Sequence, residues 1–599
     1  MGANNLRTLN DVFFTLMERN SERIMLTREG DTWQTISPIQ LRSWVYATAR
    51  QLQAWGVKKG DRVIILSENR PEWAIADFAT LLLGAVDVPI YATQTSEQCQ
   101  FVAQNCEARI AFVSTRQQYE KIAAIRQQTG IKYIVIMDDA PELTEAVPMQ
   151  SFLHAASFEN DPDLEAIARL VEPDDLATLI YTSGTTGTPK GVMLTHGNLA
   201  ANLNVSLDMY ELDKEDLCIS FLPLSHVTAR HLDYALFNIG VPLAYCPNID
   251  DLPRTMAELH PTIIVAVPRV YEKIYNKVQY SSHGVKQALI KWALSVGATN
   301  REAILRGETP KSLSWKLANT LVFSKVRAGL GGRARIFVSG GAPLGREIAT
   351  WYADIGIRIH EGYGLTETSP VIAVNNPINH RLGTVGKPLP NVEVRIAEDG
   401  ELLVRGPSIF KGYWKMAEES AAVFEDGWFK TGDIARLDEE GYLSITDRKK
   451  DLIKTSGGKF IAPQPIESSL KVNQFIGEAA LLGDRRRFPA VLIIPSFPDL
   501  EEWARHHGVK FSSRKELVKS HQVQSLYQGI VDEMNQNLAQ FEKLKRVLVV
   551  PDELSIADGT LTPSMKLRRR NLTDRYKKEI DALYAEAESH QRTATSAKS

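Results

Sequence analysis

Residues 181–194, YTSGTTGTPKGVML, combine the residue types that bind phosphate. The three glycines let successive backbone N–H groups converge on an anion, the hydroxyl side chains add donors, and Lys190 supplies a positive charge. The stretch is not a Walker A loop, because Pro189 stands where that motif needs its second glycine. We therefore predict an ATP-binding loop of another type; any short part of it would also suit an ordinary Ser/Thr/Gly surface loop.

The elements that must hold this loop are those of an α/β sheet. Short β-branched runs recur with helix-length segments between several of them, and they predict strands at 63–66, 110–114, 133–137, 217–221, 262–267 and 335–339. Apolar runs such as TIIVAV favour parallel strands, whose carboxyl ends hold ligand sites. The sequence therefore predicts an α/β fold with doubly wound mixed sheets in a large N-terminal domain.

The pattern of apolar and polar residues changes after about residue 380. Short alternating segments such as VEVRIAEDGELLVRG predict a small antiparallel, β-barrel-like unit, and the charge cluster DRKKD at 447–451 marks the end of the N-terminal domain, residues 1–447. A smaller α+β domain is predicted over 451–587, with helices near 500–507 and 515–541. The tail 588–599 lacks apolar periodicity and is predicted to be disordered.

Composition excludes several classes of protein. The chain has 599 residues, 44% of them apolar, and a formal charge of −3, so it should fold into at least two domains and lacks the basic excess of a nonspecific nucleic-acid binder. The four cysteines are too sparse for a disulfide framework, the first residues show no export signal, and no apolar stretch reaches the length of a bilayer span. We expect a cytoplasmic protein that meets membrane only peripherally, at its inner face.

Four further motifs follow the phosphate-binding stretch in order. They are SGGAPL at 339–344, EGYGLTET at 361–368, WFKTGDIARLDEEGYLSITDRKKDLIK at 428–454 and LTPSMKLRRR at 561–570. With this ordered set the chain resembles the acyl-adenylate-forming, or AMP-binding, superfamily. Segments 265–274, 317–344 and 455–467 are similar to those of bacterial long-chain fatty acid:CoA ligases.

The resemblance implies a two-step reaction. A fatty acid first joins the α-phosphate of ATP with loss of pyrophosphate, and the thiol of coenzyme A then displaces AMP. Mg²⁺ is implied as the metal, and the fatty acid, ATP and CoA as the partners. The resemblance leaves monomer and homodimer open.

The resemblance also assigns the nucleotide site. It implies that the 182–187 loop and Lys190 bind the β- and γ-phosphates, that Tyr363 stacks on adenine, and that Asp433 and Arg448 bind the ribose. Outside their motifs, Asp433 would be a turn residue and Arg448 part of a solvated charge run. The nucleotide-binding set implied is Thr182, Ser183, Gly184, Thr185, Thr186, Gly187, Gly341, Ala342, Pro343, Glu361, Gly362, Tyr363, Gly364, Leu365, Asp433 and Arg448.

Four residues are implied to act on the reacting groups. Thr366 would donate to the α-phosphate, Glu367 would bind Mg²⁺, and Lys566 would bridge the carboxylate and the α-phosphate, with Lys190 as the fourth. The alternative for Lys566 is a surface basic patch with the arginines at 568–570.

The acyl and CoA channel and the hinge are implied in the same way. His226 would gate the channel, with Gly340, Gly457 and Gly458 along it, although a buried core histidine remains an alternative for His226. A hinge at 448–450 centred on Lys450 would let the C-terminal domain rotate between the two half-reactions.

Alternatives of other kinds remain open from the sequence. One is an acyl-AMP ligase that delivers to a carrier protein, and another is a catalytically silent lipid-binding relative. The segment 284–298 is compatible both with a buried helix near the acyl channel and with a peripheral membrane contact through Lys286 and Lys291.

Overall fold

The computed structural model describes residues 5–19, 21–182, 188–280, 284–455, 459–555, 558–561 and 567–596, with side chains to residue 586. Nine strands of the described chain form a mixed sheet around a parallel centre. Their spatial order is Lys387–Pro388, Val371–Val374, Ile359–Gly364, Ile336–Ser339, Ile263–Ala266, Cys218–Ser220, Leu243–Tyr245, Met25–Glu29 and Thr32–Ile36. The central strands are buried throughout, as the apolar sequence predicts.

A second sheet has seven strands among the described residues. They are parallel except for the last pair, and their order is Val147–Pro148, Tyr133–Ile136, Ile110–Val113, Arg62–Leu66, Val86–Ile90, Leu176–Thr182 and Lys190–Thr195. The last two strands form the antiparallel hairpin whose connection is the predicted phosphate loop.

A third sheet is antiparallel and supplies the predicted barrel-like unit. In the part of the chain described, its order is Glu393–Ile396, Glu401–Arg405, Trp428–Leu437 and Phe424–Glu425, with Leu443–Arg448 also paired to Trp428–Leu437. The C-terminal part contains the hairpin Ile453–Lys454 and Phe460–Ile461 and the sheet Ile476–Leu482, Ala490–Pro495 and Val547–Val549. The predicted fold class is confirmed, and each of the six predicted strands lies within two residues of its predicted bounds.

Helices cover both faces of the two large sheets and both faces of the C-terminal sheet. The α-helices are Leu9–Glu18, Pro38–Ala54, Pro71–Leu82, Ser96–Cys106, Arg116–Ala123, Gln150–Leu153, Pro162–Arg169, His196–Ser206, Val227–Ile239, Leu252–Leu259, Pro268–Tyr280, Val285–Leu305, Leu313–Ala318, Ser324–Ala328, Arg346–Asp354, Ala417–Ala422, Pro463–Lys471, Phe497–His506, Arg514–Lys519, His521–Asn535, Arg569–Arg575 and Lys577–Ser596. Capping residues mark where many of these helices begin. For example, Ser37 immediately precedes Pro38, and its side chain accepts a hydrogen bond from the Gln40 N–H.

Two C-terminal predictions differ from the structure. The helix predicted over 515–541 is two helices, because Ser520 leaves the helical conformation and caps the second one by accepting from the Val523 N–H. The last helix extends to Ser596, into the segment from 588 for which the sequence predicts disorder. Alanine and glutamate, both strong helix formers, carry the helix past the last apolar position.

A buried charge network joins the second sheet to the helix Val227–Ile239. The Arg230 guanidinium is paired with Asp77 at 3.1 Å and with Asp87, and it donates to the Thr178 hydroxyl at 3.0 Å. Tyr234 donates to Asp77 at 2.5 Å. Removing one member of such a buried pair leaves an uncompensated charge, so the network fixes this helix against the strand that leads into the phosphate loop.

Asp233, one turn away, should make stability depend on pH. Burial raises the pKa of this carboxyl to about 8, although Ser220 donates to it at 3.1 Å. The native state therefore keeps this proton up to about pH 8, whereas the unfolded chain loses it at about pH 4. Between these two pH values the contribution of Asp233 to the free energy of unfolding falls as the pH rises. In Asp233→Asn the side chain stays neutral. We expect its unfolding free energy, relative to wild type, to rise between pH 5 and 8 by up to ~1.4 kcal/mol per pH unit. If wild type and Asp233→Asn show the same dependence of unfolding free energy on pH, in thermal or urea unfolding, the raised pKa of Asp233 is contradicted.

All four cysteines are buried and unpaired. Burial raises the pKa of Cys99 and of Cys106 to about 12. Among the helices described, none combines the length and apolar character needed to cross a bilayer.

Candidate active site

A cleft of 3920 Å³ lies between the N-terminal sheets and the C-terminal part. The loops after three parallel strands, Cys218–Ser220, Ile263–Ala266 and Ile336–Ser339, line one side of it, and the helix Pro463–Lys471 lines the other. The carboxyl ends of these strands meet at one edge of the sheet, as the strand pattern predicts. Every described residue of the predicted site lines this cleft: Thr182, Lys190, His226, Gly340, Gly341, Ala342, Pro343, Glu361, Gly362, Tyr363, Gly364, Leu365, Thr366, Glu367, Asp433, Arg448 and Lys450.

Asp433 is held in a fixed orientation at the wall formed by the barrel-like sheet. It lies opposite Arg448 on the neighbouring strand, with 3.3 Å between the Arg448 Nε and Asp433 Oδ1 atoms. The Tyr363 hydroxyl donates to Asp433 Oδ2 at 2.5 Å. Burial, and then the Asp433 carboxylate, raise the pKa of Tyr363 well above its usual range. The ring of Tyr363 and the Asp433 carboxyl group are thus brought together, a pairing that suits an aromatic base and a diol.

The turn after strand Ile336–Ser339 passes beside the carboxyl of Glu361. Gly341 adopts φ +81° in this turn, a conformation that favours glycine. Burial raises the pKa of Glu361 to about 7, and a backbone hydrogen bond from Leu344 lowers it in part. Glu361 therefore changes charge near neutral pH within the predicted adenosine pocket.

Glu367, Tyr413 and Lys190 form a cluster where the two large sheets approach each other. The Tyr413 hydroxyl donates to Glu367 Oε1 at 2.9 Å, and the Lys190 ammonium lies 4.8 Å from the centroid of the Tyr413 ring. The Phe410 N–H donates to the Glu367 carbonyl at 2.9 Å and fixes the short helical turn Thr366–Thr368. A carboxylate and an ammonium that both contact one tyrosine are groups expected around a metal-bound polyphosphate.

This cluster limits how a metal could be held. In the described part of the chain no three His, Cys, Asp or Glu side chains gather closely enough to form a metal cage. Mg²⁺ is commonly held by one or two carboxylates together with substrate phosphates, so a single carboxylate at Glu367 fits that mode of binding.

His226 lies at the start of the helix Val227–Ile239, where its Nδ1 accepts from the Thr228 N–H at 3.2 Å. The loop before it is fixed by Asn69, whose side chain donates to the Leu222 carbonyl at 2.8 Å and accepts from the Leu224 N–H at 3.1 Å. His226 is partly exposed to the cleft, whereas His231 in the same helix is buried. The buried-core alternative therefore fits His231 and not His226.

Several predicted residues lie outside the described residues. They are Ser183, Gly184, Thr185, Thr186, Gly187, Gly457, Gly458 and Lys566. Their neighbours are placed: Thr182 and Lys190 are cross-strand partners, and Leu561 and Leu567 form a bridge with both side chains at the cleft.

The predicted hinge is anchored on its N-terminal side. The Lys449 ammonium binds Asp399 at 2.6 Å and Glu401 at 2.7 Å, both in the barrel-like unit. Across the junction, Asp447 Oδ2 accepts from the Gln464 N–H at 2.9 Å. Lys450 is exposed and is the first residue beyond this anchor.

Sequence reasoning missed Tyr413. This tyrosine follows the run SIFKG and stands about fifty residues after Glu367, so no local spacing connects the two. The available signal was the turn-rich KGYW segment at 411–414. It also missed Asn69, because a single asparagine in a loop is ordinary turn chemistry.

Comparison with known proteins places the chain in a family. The family model described as AMP-binding enzyme matches residues 13–414, and the model for the AMP-binding enzyme C-terminal domain matches residues 450–588. A Mycobacterium bovis protein named long-chain-fatty-acid–CoA ligase FadD15 is 37% identical over 561 residues, which cover 92% of each chain. The peroxisomal long chain acyl-CoA synthetase 7 of Arabidopsis thaliana is 32% identical over 97% of this chain and 86% of its own.

Solved structures share the fold at lower identity. The anthranilate CoA ligase AuaEII, in complex with anthranoyl-AMP, superposes with a TM-score of 0.74 at 20% identity, covering 96% of this chain and 98% of that one. The adenylation domain of a carboxylic acid reductase from Segniliparus rugosus gives 0.73 at 21% identity, covering 98% and 95%. From the two matching family models and the relatives above 30% identity, we conclude that this chain belongs to the AMP-binding enzyme family.

Proposed function

We propose that the protein is a long-chain fatty acid:CoA ligase that forms acyl-CoA, AMP and pyrophosphate. The observation that carries the proposal is the placement of Lys190, Glu367, Tyr363 and Asp433 around one cleft, in a chain 36–37% identical to proteins named long-chain-fatty-acid–CoA ligases. These side chains supply the cation, the carboxylate, the aromatic ring and the diol acceptor that an adenylating site needs.

In the first half-reaction, the 182–187 loop and Lys190 would bind the outer phosphates of ATP. Tyr363 would cover the adenine, and Asp433, oriented by Tyr363 and Arg448, would accept from the ribose hydroxyls. Thr366 would donate to the α-phosphate and Lys566 would draw the carboxylate towards it. Mg²⁺, held by Glu367 and the phosphates, would offset the charge that builds up there.

In the second half-reaction, the thiol of CoA must reach the acyl carbon from the side that Lys566 occupies in the first. The loop at Gly457 and Gly458 would line that path after rotation at Lys450. His226, Phe221 and Leu222 come from one loop and reach the cleft together, so we place the start of the acyl channel there, with Gly340 close to the reacting carbon.

Neither alternative function gains support. Relatives over most of the chain are named as CoA ligases, and the segment 447–467 carries no insertion of the kind that would favour delivery to a carrier protein. A catalytically silent protein would not need to keep Lys190, Glu367, Asp433 and Lys566 together.

A panel of carboxylic acids tests the substrate class. Each methylene buried in an apolar channel contributes ~0.8 kcal/mol, so palmitate should exceed octanoate in kcat/KM by at least ~10²-fold, and acetate by more. The measurements are acid-dependent pyrophosphate release and acyl-CoA formation. Higher kcat/KM for acetate, an aromatic acid or an amino acid would contradict the long-chain assignment. Pyrophosphate release without acyl-CoA formation would instead favour carrier delivery.

A further inference from the structure

An apolar ridge stands on the outer surface of the N-terminal part. The segment from Leu313 to Ala328 is a short α-helix, a π-helical turn and a second short α-helix in succession. Its buried side is Trp315, Ala318, Val322 and Phe323, whereas Leu313, Leu317 and Leu321 repeat every four residues on the exposed side. Leu313 is 83% exposed and Leu317 is 52% exposed. Leucines in a row at this exposure are unusual on a surface that faces only water.

The neighbouring helix extends the same surface. The helix Val285–Leu305 packs against the helix Leu313–Ala318 and against the π-helical turn Asn319–Phe323. Its buried face is Ile290, Ala293 and Gly297, whereas Val285 is 87% exposed and Trp292 is 37% exposed. None of its residues lines the cleft, so this helix does not form the acyl channel directly. We name the exposed set Val285, Trp292, Leu313, Leu317 and Leu321 the leucine ridge.

Charge around the leucine ridge is mainly positive. Residues 273–346 contain thirteen lysines and arginines against two glutamates, in a chain whose formal charge is −3. Some of these cations are used internally, as in the pairs of Arg301 with Asp354 and Arg335 with Asp216. Lys286, Lys291, Lys316 and Lys325 are exposed and, within the described residues, have no acidic partner.

The ridge is one layer away from the cleft. Helix Val285–Leu305 lies against Arg346–Asp354, and a Cβ on Gly297 would come within 2.0 Å of the Asp354 carbonyl oxygen, so the two helices are in close backbone contact. Glu347, Thr350 and Trp351 of the second helix reach the cleft from its other side. A partner that binds here would therefore lie one helix away from the cleft without covering it.

We propose that the leucine ridge docks on the surface of an anionic phospholipid bilayer. Leucine, valine and tryptophan side chains enter the interfacial region, while the unpaired lysines bind the lipid phosphates. The chemistry of the surface selects this partner, because an apolar ridge edged mainly by lysines and arginines matches an acyl layer beneath anionic headgroups. A second copy of the chain would bring like charges together at the same ridge.

Vesicle binding without ATP or CoA tests the proposal separately from the ligase activity. The variant is the double substitution Leu313→Asp and Leu317→Asp, and the matched control is Leu170→Asp and Ile378→Asp, two residues that are each 73% exposed on other surfaces. Both variants change the net charge equally. We expect wild type and control to cosediment with mixed phosphatidylglycerol and phosphatidylcholine vesicles, and the ridge variant to bind at least ~10-fold more weakly. Added salt should release the wild type, because the lysine contacts are screened.

A second readout reports insertion directly. Brominated lipids should quench part of the wild-type tryptophan fluorescence, and Trp292→Phe should remove that quenched part. Turnover of octanoate in solution should be unchanged in the ridge variant, because the ridge lies outside the cleft. Equal vesicle binding by wild type and ridge variant, or no binding by wild type, would overturn the proposal. So would a change of the ridge variant from dimer to monomer with vesicle binding intact, which would make the ridge a self-association surface.

Discussion

Replacing Glu367 by glutamine is expected to lower fatty-acid-dependent pyrophosphate release by at least ~10²-fold while the protein stays folded. Glutamine keeps the size of the side chain and can still accept from the Tyr413 hydroxyl, but it cannot supply a carboxylate to Mg²⁺. The rate of acyl-AMP formation should therefore be the rate that falls. The measurement is the rate of pyrophosphate release across a Mg²⁺ titration, with thermal unfolding as the check on folding.

Tyr413→Phe is the matched control for Glu367→Gln. It removes the hydroxyl that donates to Glu367 at 2.9 Å and leaves the carboxylate in place. We expect a smaller loss, ~10-fold, that higher Mg²⁺ partly restores, since only the orientation of the ligand is affected. Pyrophosphate release by Glu367→Gln at the wild-type rate would remove this residue from the metal site.

The second large effect concerns the separation of the half-reactions. Lys566→Ala should lose ~10²-fold or more in acyl-AMP formation from fatty acid and ATP, yet convert supplied acyl-AMP to acyl-CoA at close to the wild-type rate. Lys578→Ala removes the same charge from an exposed residue of the C-terminal part that does not line the cleft, and it should change neither rate. The two assays are pyrophosphate release and acyl-CoA formation from synthetic acyl-AMP.

Lys450→Pro should show the opposite result. Proline fixes φ near −65° at the residue just beyond the Lys449 anchor, so the rotation that brings in CoA is hindered while acyl-AMP formation continues. Lys450→Ala keeps the backbone free and should retain both activities. If Lys566→Ala and Lys450→Pro lose both activities in equal proportion while folded, the alternating-domain account of this chain is wrong.

The sequence predicted the parts of the molecule that local pattern determines. The run TIIVAV became the buried parallel strand Ile263–Ala266, because β-branched residues without charge suit a sheet covered on both faces. The motif residues Tyr363 and Glu367 line the cleft because they lie at and just after the end of the strand Ile359–Gly364. Asp433 reaches the same cleft from the middle of the strand Trp428–Leu437.

Other parts depend on partners far away in sequence. Arg230 looks like one polar residue in the helix VTARHLDYALFNI, and only the structure brings Asp77 and Asp87 to it from about 150 residues earlier. Asn69 likewise looks like an ordinary loop residue in sequence, and only the structure shows that it binds the backbone of the loop before His226. The helix Val285–Leu305 showed neither a clear core face nor a clear polar face in sequence, because part of its apolar surface is exposed.

The burial of all four cysteines makes their thiols a measure of how often the native protein opens. A thiol reacts as the thiolate, and a pKa of about 12 at Cys99 and Cys106 leaves almost none of it near neutral pH even if a reagent could reach the sulfur. Alkylation at neutral pH must then wait for local or global opening, so its rate reports on those events. A single cysteine introduced on each side of the proposed hinge would react far faster than the native four, so fluorescent labels there would test the proposed domain rotation in the otherwise unmodified chain.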